Sequence, residues 1–397
     1  MKLFSFGSHF CYLFLIAFNC LGLAELSVAG SKAVSPKKNL ETDLIRQTDR
    51  PHNYETPIEE LNTLYTPNNK FFVRSHLPNS TEVVEKKWEI SIHGEGFEKP
   101  FKLSLAKLKK DFTAVEVSAV SMCAGNRRSE FNPRVPGVQW GKGAIGNGLW
   151  RGVRLKEVLQ RAGINPKTIE IAFNGADFPT LPGTPDFVKS IPIERAMDDS
   201  TLLAYELNGA PLPKGNGFPV RLIVPGWVAS YWVKEVVSIE ALTKPSDNFW
   251  MKKAYRIEKG KFPTVEKGFA SQEDEKSVPI SSLLINSLIT NLKEGAKLKS
   301  GSEFSVQGFA WDGGHGIQKV EVSIDAGKNW SLATLGEQPG KYSWRPFSFK
   351  FSPNKGSEYQ VMARATNDAG ENQPTSPVHN PSGYHNNAIQ SIQVVGE

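Results

Sequence analysis

The spacing of apolar residues predicts mixed helices and strands in the first two thirds of the chain and strands in the last third. The stretch VRLKEVLQRAGI repeats its apolar positions with the period of an amphipathic helix, at Leu155, Val158, Leu159 and Ala162. The stretch IPIERAMDDSTLLAYELNG predicts a short helix followed by a strand, and FPVRLIVPG predicts a buried strand closed by Pro-Gly. Residues 54–275 are therefore expected to form one mixed domain.

Beyond a connecting stretch rich in Lys, Pro and Glu at 244–280, apolar and polar residues alternate. KVEVSID places Val320, Val322 and Ile324 on one face, WRPFSFKF alternates its phenylalanines, and EYQVMARATNDAG alternates before a turn. Short alternating strands with Asp, Asn and Gly turns indicate an antiparallel β-sandwich of immunoglobulin type over residues 276–397. The fold class expected for the chain is α+β, with a mixed α/β domain followed by this sandwich.

The N-terminal segment predicts an exported protein. Lys2 precedes an apolar run at 10–24, and small residues follow it, as in a secretory signal peptide over residues 1–29. The run is too short to predict a membrane span. A lipid anchor on Cys20 is an alternative, but the preceding Ala-Phe-Asn fits a lipobox poorly, and no twin-arginine pair precedes the run. Residues 30–53 are polar and predict an extended arm, and the expected location is the periplasm.

Length and charge narrow the function classes. The chain has 397 residues, enough for two domains with their own cores, and a formal net charge of +6. This modest excess favours a small anionic substrate or an acidic partner. The absence of a dense Lys/Arg cluster interleaved with aromatic residues argues against nucleic-acid binding.

Cys123 is the residue with the strongest indications of a chemical role. The sequence has three cysteines, and Cys11 and Cys20 lie in the predicted leader. Arg127 and Arg128 follow Cys123 closely and would favour its thiolate over its thiol. A buried apolar cysteine is the alternative, and a catalytic nucleophile would need a histidine base. One thiol is too few for a zinc or iron–sulfur site, but it suits a metal whose other ligands come from a cofactor.

Further basic residues predict an anion site. A strand over 71–76 would place Phe72, Arg74 and His76 on one face, where guanidinium and imidazole can hold an anion, although a solvent-facing polar pair is equally compatible. Arg221 lies inside an apolar strand and needs a partner, for which a phosphate would serve. Lys234 follows an aromatic pair and, taken alone, is interpreted as a surface lysine.

Five blocks in order give the chain a family resemblance. FFVRSH, CAGNRR, VQWGKGAIGNGLWRGVRL, LLAYELNG and GFPVRLIVPG resemble the sulfite oxidase family of molybdenum enzymes, from about residue 69 to the C-terminus. The block DNFWMKKAYR makes the chain most similar to the bacterial periplasmic sulfite dehydrogenases of that family. The resemblance implies a molybdopterin-binding catalytic domain at 54–275 and an immunoglobulin-like dimerisation domain at 276–397.

The resemblance also implies the site. Cys123 would ligate the molybdenum of one molybdopterin cofactor. The substrate pocket would be lined by Arg74, His76, Arg128 and Tyr255, with Trp140 at its wall. The cofactor would be held by Phe72, Val73, Arg74, Ser75, His76, Asp177, Asn216, Arg221, Trp232, Val233 and Lys234. Animal relatives have His where this chain has Asn216, which changes one cofactor contact.

The function implied is two-electron oxidation of sulfite to sulfate by a homodimer. The sequence contains no Cys-x-x-Cys-His motif for covalent haem, so electrons are expected to pass to an external c-type cytochrome. Within the superfamily, the alternatives are a nitrate reductase-like enzyme, a methionine sulfoxide reductase or another sulfur-compound dehydrogenase. A non-enzymatic exported β-sandwich module is the alternative from another class, but it leaves the CAGNRR block without a purpose.

Overall fold

A computed structural model describes residues 43–78, 83–266 and 268–397. The predicted signal peptide, Cys20 and residues 30–42 of the predicted arm lie outside this range. All described residues belong to one compact unit. No helix among them is long and apolar enough to cross a membrane.

The N-terminal part of the described chain is built mainly of antiparallel strands. A small sheet joins Ile45–Thr48, Asn53–Glu55 and Val73–Arg74. A second sheet joins Ala210–Pro211, Leu202–Leu207, Ile145–Arg154 and Ala114–Met122, with Arg221–Ile223 paired to Leu202–Leu207. A third sheet runs in the order Phe101–Ser104, Glu89–His93, Val236–Leu242, Glu170–Gly175 and Val188–Pro192, and only its second and third strands pair in parallel.

Short helices connect these strands. The α-helices are Leu105–Asp111, Leu155–Ala162, Ile193–Ala196, Phe249–Lys252 and Pro263–Glu266. Leu155–Ala162 confirms the predicted amphipathic helix, because its four apolar positions are fully buried. The helix ends at Gly163, whose φ of +71° suits glycine and whose N–H returns to the carbonyl of Gln160.

The C-terminal part is the predicted sandwich. Its four-stranded sheet runs Asn286–Ile289, Phe304–Trp311, Arg345–Phe351 and Thr334–Leu335. Its five-stranded sheet runs Ala296–Leu298, Gln390–Gly396, Glu358–Asn367, Ile317–Ser323 and Ser331–Leu332. A hairpin of Arg256–Glu258 and Ser277–Pro279 lies in the connecting stretch. The predicted α+β class, with a mixed domain followed by an immunoglobulin-like sandwich, is confirmed.

The predicted strand over 71–76 is wrong in its length. Only Val73–Arg74 pairs, because its partner strand Asn53–Glu55 is itself three residues long. The backbone N–H of Ser75 then donates to the side chain of Asn53 instead of to a strand carbonyl, which ends the ladder. The described part of the predicted arm is also paired, since Ile45–Thr48 lies against Asn53–Glu55. The domain boundaries themselves remain predictions.

The hydrophobic interior holds the two parts together. A small cluster inside the sandwich includes Val306, Val320 and Val361. A larger cluster fills the N-terminal part, and it also takes in Trp344 and Tyr384 from the C-terminal part. Side chains of the sandwich segment therefore belong to the core that supports the site.

Candidate active site

The loop that carries Cys123 follows directly from the strand Ala114–Met122. The N–H of Cys123 donates to the carbonyl of Ala144 at 2.9 Å, and the side chain of Asn126 accepts from the N–H of Ala144 at 3.0 Å. A Cβ on Gly125 would lie 2.4 Å from the guanidinium of Arg128, so glycine here lets that side chain pack against the loop. The loop thus holds a free thiol that is 6% exposed.

This thiol opens into a cavity. The lining residues come from six separate stretches of the chain. They are Phe72, Arg74, His76, Cys123, Ala124, Asp177, Phe187, Gly215, Asn216, Arg221, Ala229, Ser230, Trp232, Val233, Lys234 and Tyr255.

Three cations, Arg74, Arg221 and Lys234, form what we call the cationic end of the cavity. Arg221 donates to the carbonyls of Trp232 and Asn216 at 3.1 and 3.2 Å. Lys234 Nζ donates to Ser75 Oγ at 2.8 Å and to the Gly215 carbonyl at 3.1 Å. Arg74 donates to Asn53 Oδ1 at 3.1 Å. Within the described part of the chain, none of the three forms an ion pair with a carboxylate.

Burial shifts the pKa values of the ionisable groups at this end of the cavity. It lowers the pKa of Arg221 to about 9. Burial, and then the neighbouring Arg221, lower the pKa of Lys234 to about 8. Burial raises the pKa of Asp177 to about 7, although Lys234 opposes that change. Asp177 and Glu235 offset part of the positive charge at Lys234. Buried positive charge is costly, so three cations around one cavity favour binding of an anion.

A neighbouring group of rings, which we call the aromatic end, consists of His76, Phe187, Trp250, Tyr255 and Tyr384. The first two and Tyr255 line the cavity, and the other two pack behind them. The ring of Phe187 stacks on His76 with centroids 3.8 Å apart and planes at 12°. Trp250 meets His76 edge-on at 5.2 Å, and Tyr384 stacks on Tyr255 at 5.5 Å. His76 Nε2 is hydrogen-bonded to the hydroxyl of Tyr255.

The aromatic end is neutral at pH 7. Burial lowers the pKa of His76 well below its usual value, and the charges of Arg74, Lys234 and Lys189 add to that effect. Burial raises the pKa of Tyr255, so its hydroxyl keeps its proton. Tyr255 has φ +55°, a left-handed conformation that costs a bulky residue about 1–3 kcal/mol and that must be held by its surroundings.

Comparison with known proteins decides the family. A model of the oxidoreductase molybdopterin binding domain matches residues 76–250, and a model of the Mo-co oxidoreductase dimerisation domain matches residues 277–396. Chicken sulfite oxidase is 35% identical over 353 residues, which cover 85% of this chain and 74% of that protein. This chain belongs to the sulfite oxidase family.

Two further similarities extend the comparison. Rat mitochondrial sulfite oxidase is 36% identical over 362 residues, covering 87% of this chain. The chain spans 64% of the rat protein's length. The crystal structure of the sulfane dehydrogenase SoxCD from Paracoccus pantotrophus superposes with a TM-score of 0.74 at 26% identity, covering 94% of this chain and 93% of that one.

Members of this family use molybdenum bound by molybdopterin, and the cavity fits that group. No cluster of three or more His, Cys, Asp or Glu that could bind a metal occurs among the described residues. The cationic end offers charge to a phosphate. Ser230 adds a buried hydroxyl on the cavity wall, and this hydroxyl has no hydrogen-bond partner in the described part of the chain.

Eleven of the residues predicted from the sequence line this cavity. They are Phe72, Arg74, His76, Cys123, Asp177, Asn216, Arg221, Trp232, Val233, Lys234 and Tyr255. Their individual roles remain predictions.

Four predicted residues lie outside the lining. Arg128 donates to the carbonyls of Ser382 and Val138, both at 2.9 Å, and so turns towards the C-terminal part. Trp140 is fully buried in the core. Val73 pairs with the neighbouring strand, and Ser75 acts behind the wall by accepting from Lys234.

Sequence reasoning missed most of the aromatic end. In the sequence, Phe187 and Trp250 have the character of ordinary apolar core residues, and Tyr384 lies in the predicted sandwich. Ala124, Gly215, Ala229 and Ser230 also line the cavity. Each is next or nearly next to a predicted residue, so proximity in sequence was the available indication.

Proposed function

We propose that this protein oxidises sulfite to sulfate at a molybdenum–molybdopterin centre ligated by Cys123. One observation carries the proposal: the thiol of Cys123, the guanidinium of Arg74 and the His76–Tyr255 pair open into the same cavity. Sulfite is a small oxyanion, and a guanidinium offers it a fork of donors. The 36% identity to rat sulfite oxidase supports this substrate.

Different residues hold the cofactor and bind the substrate. When bound, the cofactor supplies two-electron oxidation coupled to transfer of an oxygen atom derived from water. Cys123 holds the metal, while Asn216, Arg221 and Lys234 hold the pterin and its phosphate. Arg74 binds the substrate oxyanion, and Asn53 orients its guanidinium through the 3.1 Å hydrogen bond.

The His76–Tyr255 pair supplies a hydrogen-bond donor beside the substrate. Because the imidazole is neutral and the phenol is protonated, a single hydrogen bond joins them. When His76 Nε2–H donates to the tyrosine oxygen, the Tyr255 hydroxyl is free to point its own proton at the oxyanion. The pair thus adds a donor to the pocket without adding a charge.

The test uses protein produced with the cofactor available. We expect about one molybdenum per chain by elemental analysis, and reduction of ferricyanide that depends on sulfite. Cys123→Ser should lose both, because a hydroxyl is a poor ligand where a thiolate is required. Stoichiometric molybdenum without turnover of sulfite would reject the substrate, and wild-type protein without molybdenum would reject the centre itself.

The acceptor, assembly and location are parts of the same proposal. We propose a c-type cytochrome as acceptor, which predicts sulfite-dependent reduction of cytochrome c that outpaces consumption of oxygen. We propose a homodimer, supported by the match to the dimerisation domain model, which predicts twice the chain mass by light scattering. We propose export to the periplasm, which predicts a mature N-terminus after Ala24 or Ala29.

A second candidate is oxidation of sulfane sulfur. The superposition with the sulfane dehydrogenase SoxCD over 94% of this chain favours it. The two candidates separate in one assay, in which sulfite and a sulfane-sulfur compound compete for the same enzyme. We expect the ratio of kcat to KM to be higher for sulfite.

A further inference from the structure

A segment of the C-terminal part, residues 380–388, contacts the loop that carries Cys123. The two segments are joined by four hydrogen bonds between residues that are more than 250 positions apart. These are Arg128 Nε to the Ser382 carbonyl at 2.9 Å, His385 N to the Ala124 carbonyl at 3.0 Å, Asn386 Nδ2 to the Arg127 carbonyl at 3.1 Å and Arg127 Nη1 to the Ala388 carbonyl at 2.6 Å. The segment is therefore attached to the site at both of its ends.

Tyr384 occupies the middle of this segment. Its side chain is buried and belongs to the core of the N-terminal part. The ring lies nearly parallel to that of Tyr255, with planes at 16° and centroids 5.5 Å apart. The guanidinium of Arg128 lies 5.4 Å from the centroid of the same ring. Tyr384 is thus in contact with Tyr255 and with the arginine of the cysteine loop.

Tyr255 depends on such support because its backbone is strained. Its φ of +55° is rare for a bulky residue and persists only where the surroundings fix it. The carbonyl of Tyr255 accepts from Ile280 at 2.9 Å, which holds one side of the backbone. The ring of Tyr384 is the flat surface that limits rotation of the Tyr255 ring. A phenol O–H lies preferentially in the plane of its ring, so this limit also restricts the direction in which the Tyr255 O–H points beside His76.

We propose that Tyr384 is a positioning residue that acts through Tyr255. The ring of Tyr384 fixes the plane of the Tyr255 ring and so the direction in which the Tyr255 O–H points into the cavity. This inference rests on the proposed function, in which Tyr255 takes part in turnover. It assigns the C-terminal part a role in the active site besides assembly.

Kinetics of the molybdenum-loaded enzyme test the inference. We expect Tyr384→Leu to lower kcat roughly 3- to 10-fold while KM for sulfite changes less than about twofold, because the oxyanion is bound at Arg74. Tyr384→Phe keeps the ring and should restore kcat to within about twofold of wild type. In a Tyr255→Phe background, Tyr384→Leu should lower kcat less than about twofold further.

A spectroscopic measurement tests it independently of the substrate. Holoenzyme labelled with 3-fluorotyrosine gives a fluorine NMR resonance for Tyr255, identified by its absence in Tyr255→Phe. We expect one narrow line in wild type and in Tyr384→Phe, and a broadened or split line in Tyr384→Leu. Tyr359→Leu is the matched control, since Tyr359 packs on Phe351 inside the sandwich and should leave the Tyr255 line unchanged.

Either measurement can overturn the inference. An equal loss of kcat in the wild-type and Tyr255→Phe backgrounds would show that Tyr384 acts elsewhere. An unchanged Tyr255 line in Tyr384→Leu would show that the ring does not depend on it. If wild-type enzyme fails to oxidise sulfite but the line still responds to Tyr384→Leu, the proposed substrate is wrong and the positioning role stands.

Discussion

Different interactions hold the side chains of the cationic end and those of the aromatic end of the cavity in place. At the cationic end, Arg221 and Lys234 donate mainly to backbone carbonyls and have no carboxylate partner among the described residues. At the aromatic end, the rings pack on one another, stacked or edge-on, at centroid distances of 3.8–5.5 Å. In the proposed function an anionic ligand completes the first region, whereas the rings of the second region contact one another within the protein. Substitutions at the two ends should therefore affect different measurements.

The largest effect is expected from Arg221→Met, which would test whether the cationic end exists to bind the cofactor. Removing one partner of a buried charge pair costs about 2–5 kcal/mol, so molybdenum per chain should fall to a small fraction of the wild-type value. Arg345→Met is a matched control, because Arg345 also donates only to backbone carbonyls but lies in the sandwich. Full molybdenum content in Arg221→Met would show that the cationic end does not serve to bind the cofactor.

Arg74→Gln should separate substrate binding from cofactor binding within the cationic end. Loss of a charge-assisted contact costs about 1.5–3 kcal/mol, so KM for sulfite should rise roughly 10- to 150-fold. Molybdenum content should stay at the wild-type level. Arg134→Gln removes an arginine that is bonded to Gln139 outside the cavity and should leave KM unchanged. An unchanged KM in Arg74→Gln would place the substrate elsewhere.

His385 should make stability depend on pH near the aromatic end. The residue is 2% exposed, its imidazole has no hydrogen-bond partner among the described residues, and burial lowers its pKa to about 4. The unfolded chain binds a proton there below about pH 6.5 and the folded chain does not, so stability falls as pH falls from 6.5 towards 4. We expect this group to remove about 2 kcal/mol of unfolding free energy between pH 7.5 and pH 5.

Urea unfolding of wild type and His385→Leu at both pH values measures this contribution. The difference between the two pH values should be smaller in the variant by that amount. His315→Leu is the control, because the side chain of His315 is 55% exposed and should contribute little. The same pH dependence in His385→Leu and wild type would assign the acid sensitivity to other groups.

The smallest effect is expected from Phe187→Leu, which removes the ring stacked on His76. An aromatic pair contributes about 0.5–1.5 kcal/mol, so kcat should fall roughly 2- to 12-fold with molybdenum content unchanged. Phe349→Leu, a half-buried phenylalanine of the sandwich, is the control. Loss of molybdenum in Phe187→Leu would show that the aromatic end also holds the cofactor.

Local chemistry predicted one residue of the cationic end, Arg221, whereas only the family resemblance placed Arg74 and Lys234 at the cofactor site. A charged residue inside an apolar strand, as at Arg221, has few explanations, and Cys123 stands beside two arginines. Neither arginine lines the cavity, and the sequence did not indicate this. Arg127 and Arg128 both bond to residues 380–388, which the sequence places far away.

There is a physical reason why most of the aromatic end could not be predicted from the sequence. Phe187, Trp250 and Tyr384 have the composition of ordinary core residues, and only tertiary packing brings their rings together. The strand over 71–76 shows a related limit: alternation correctly directed Phe72, Arg74 and His76 to the cavity, although only Val73–Arg74 pairs. Strand length was set by the short partner Asn53–Glu55.

The bonds between residues 380–388 and the cysteine loop set an order of events during synthesis. They join residues separated by 254–261 positions, so the loop emerges from the ribosome long before its partners. At about 5–20 residues per second, the interval is roughly 13–50 s. Throughout that time the nascent thiol lacks the covering of the mature protein, and a chain arrested before residue 380 should react with a thiol reagent that the finished chain resists.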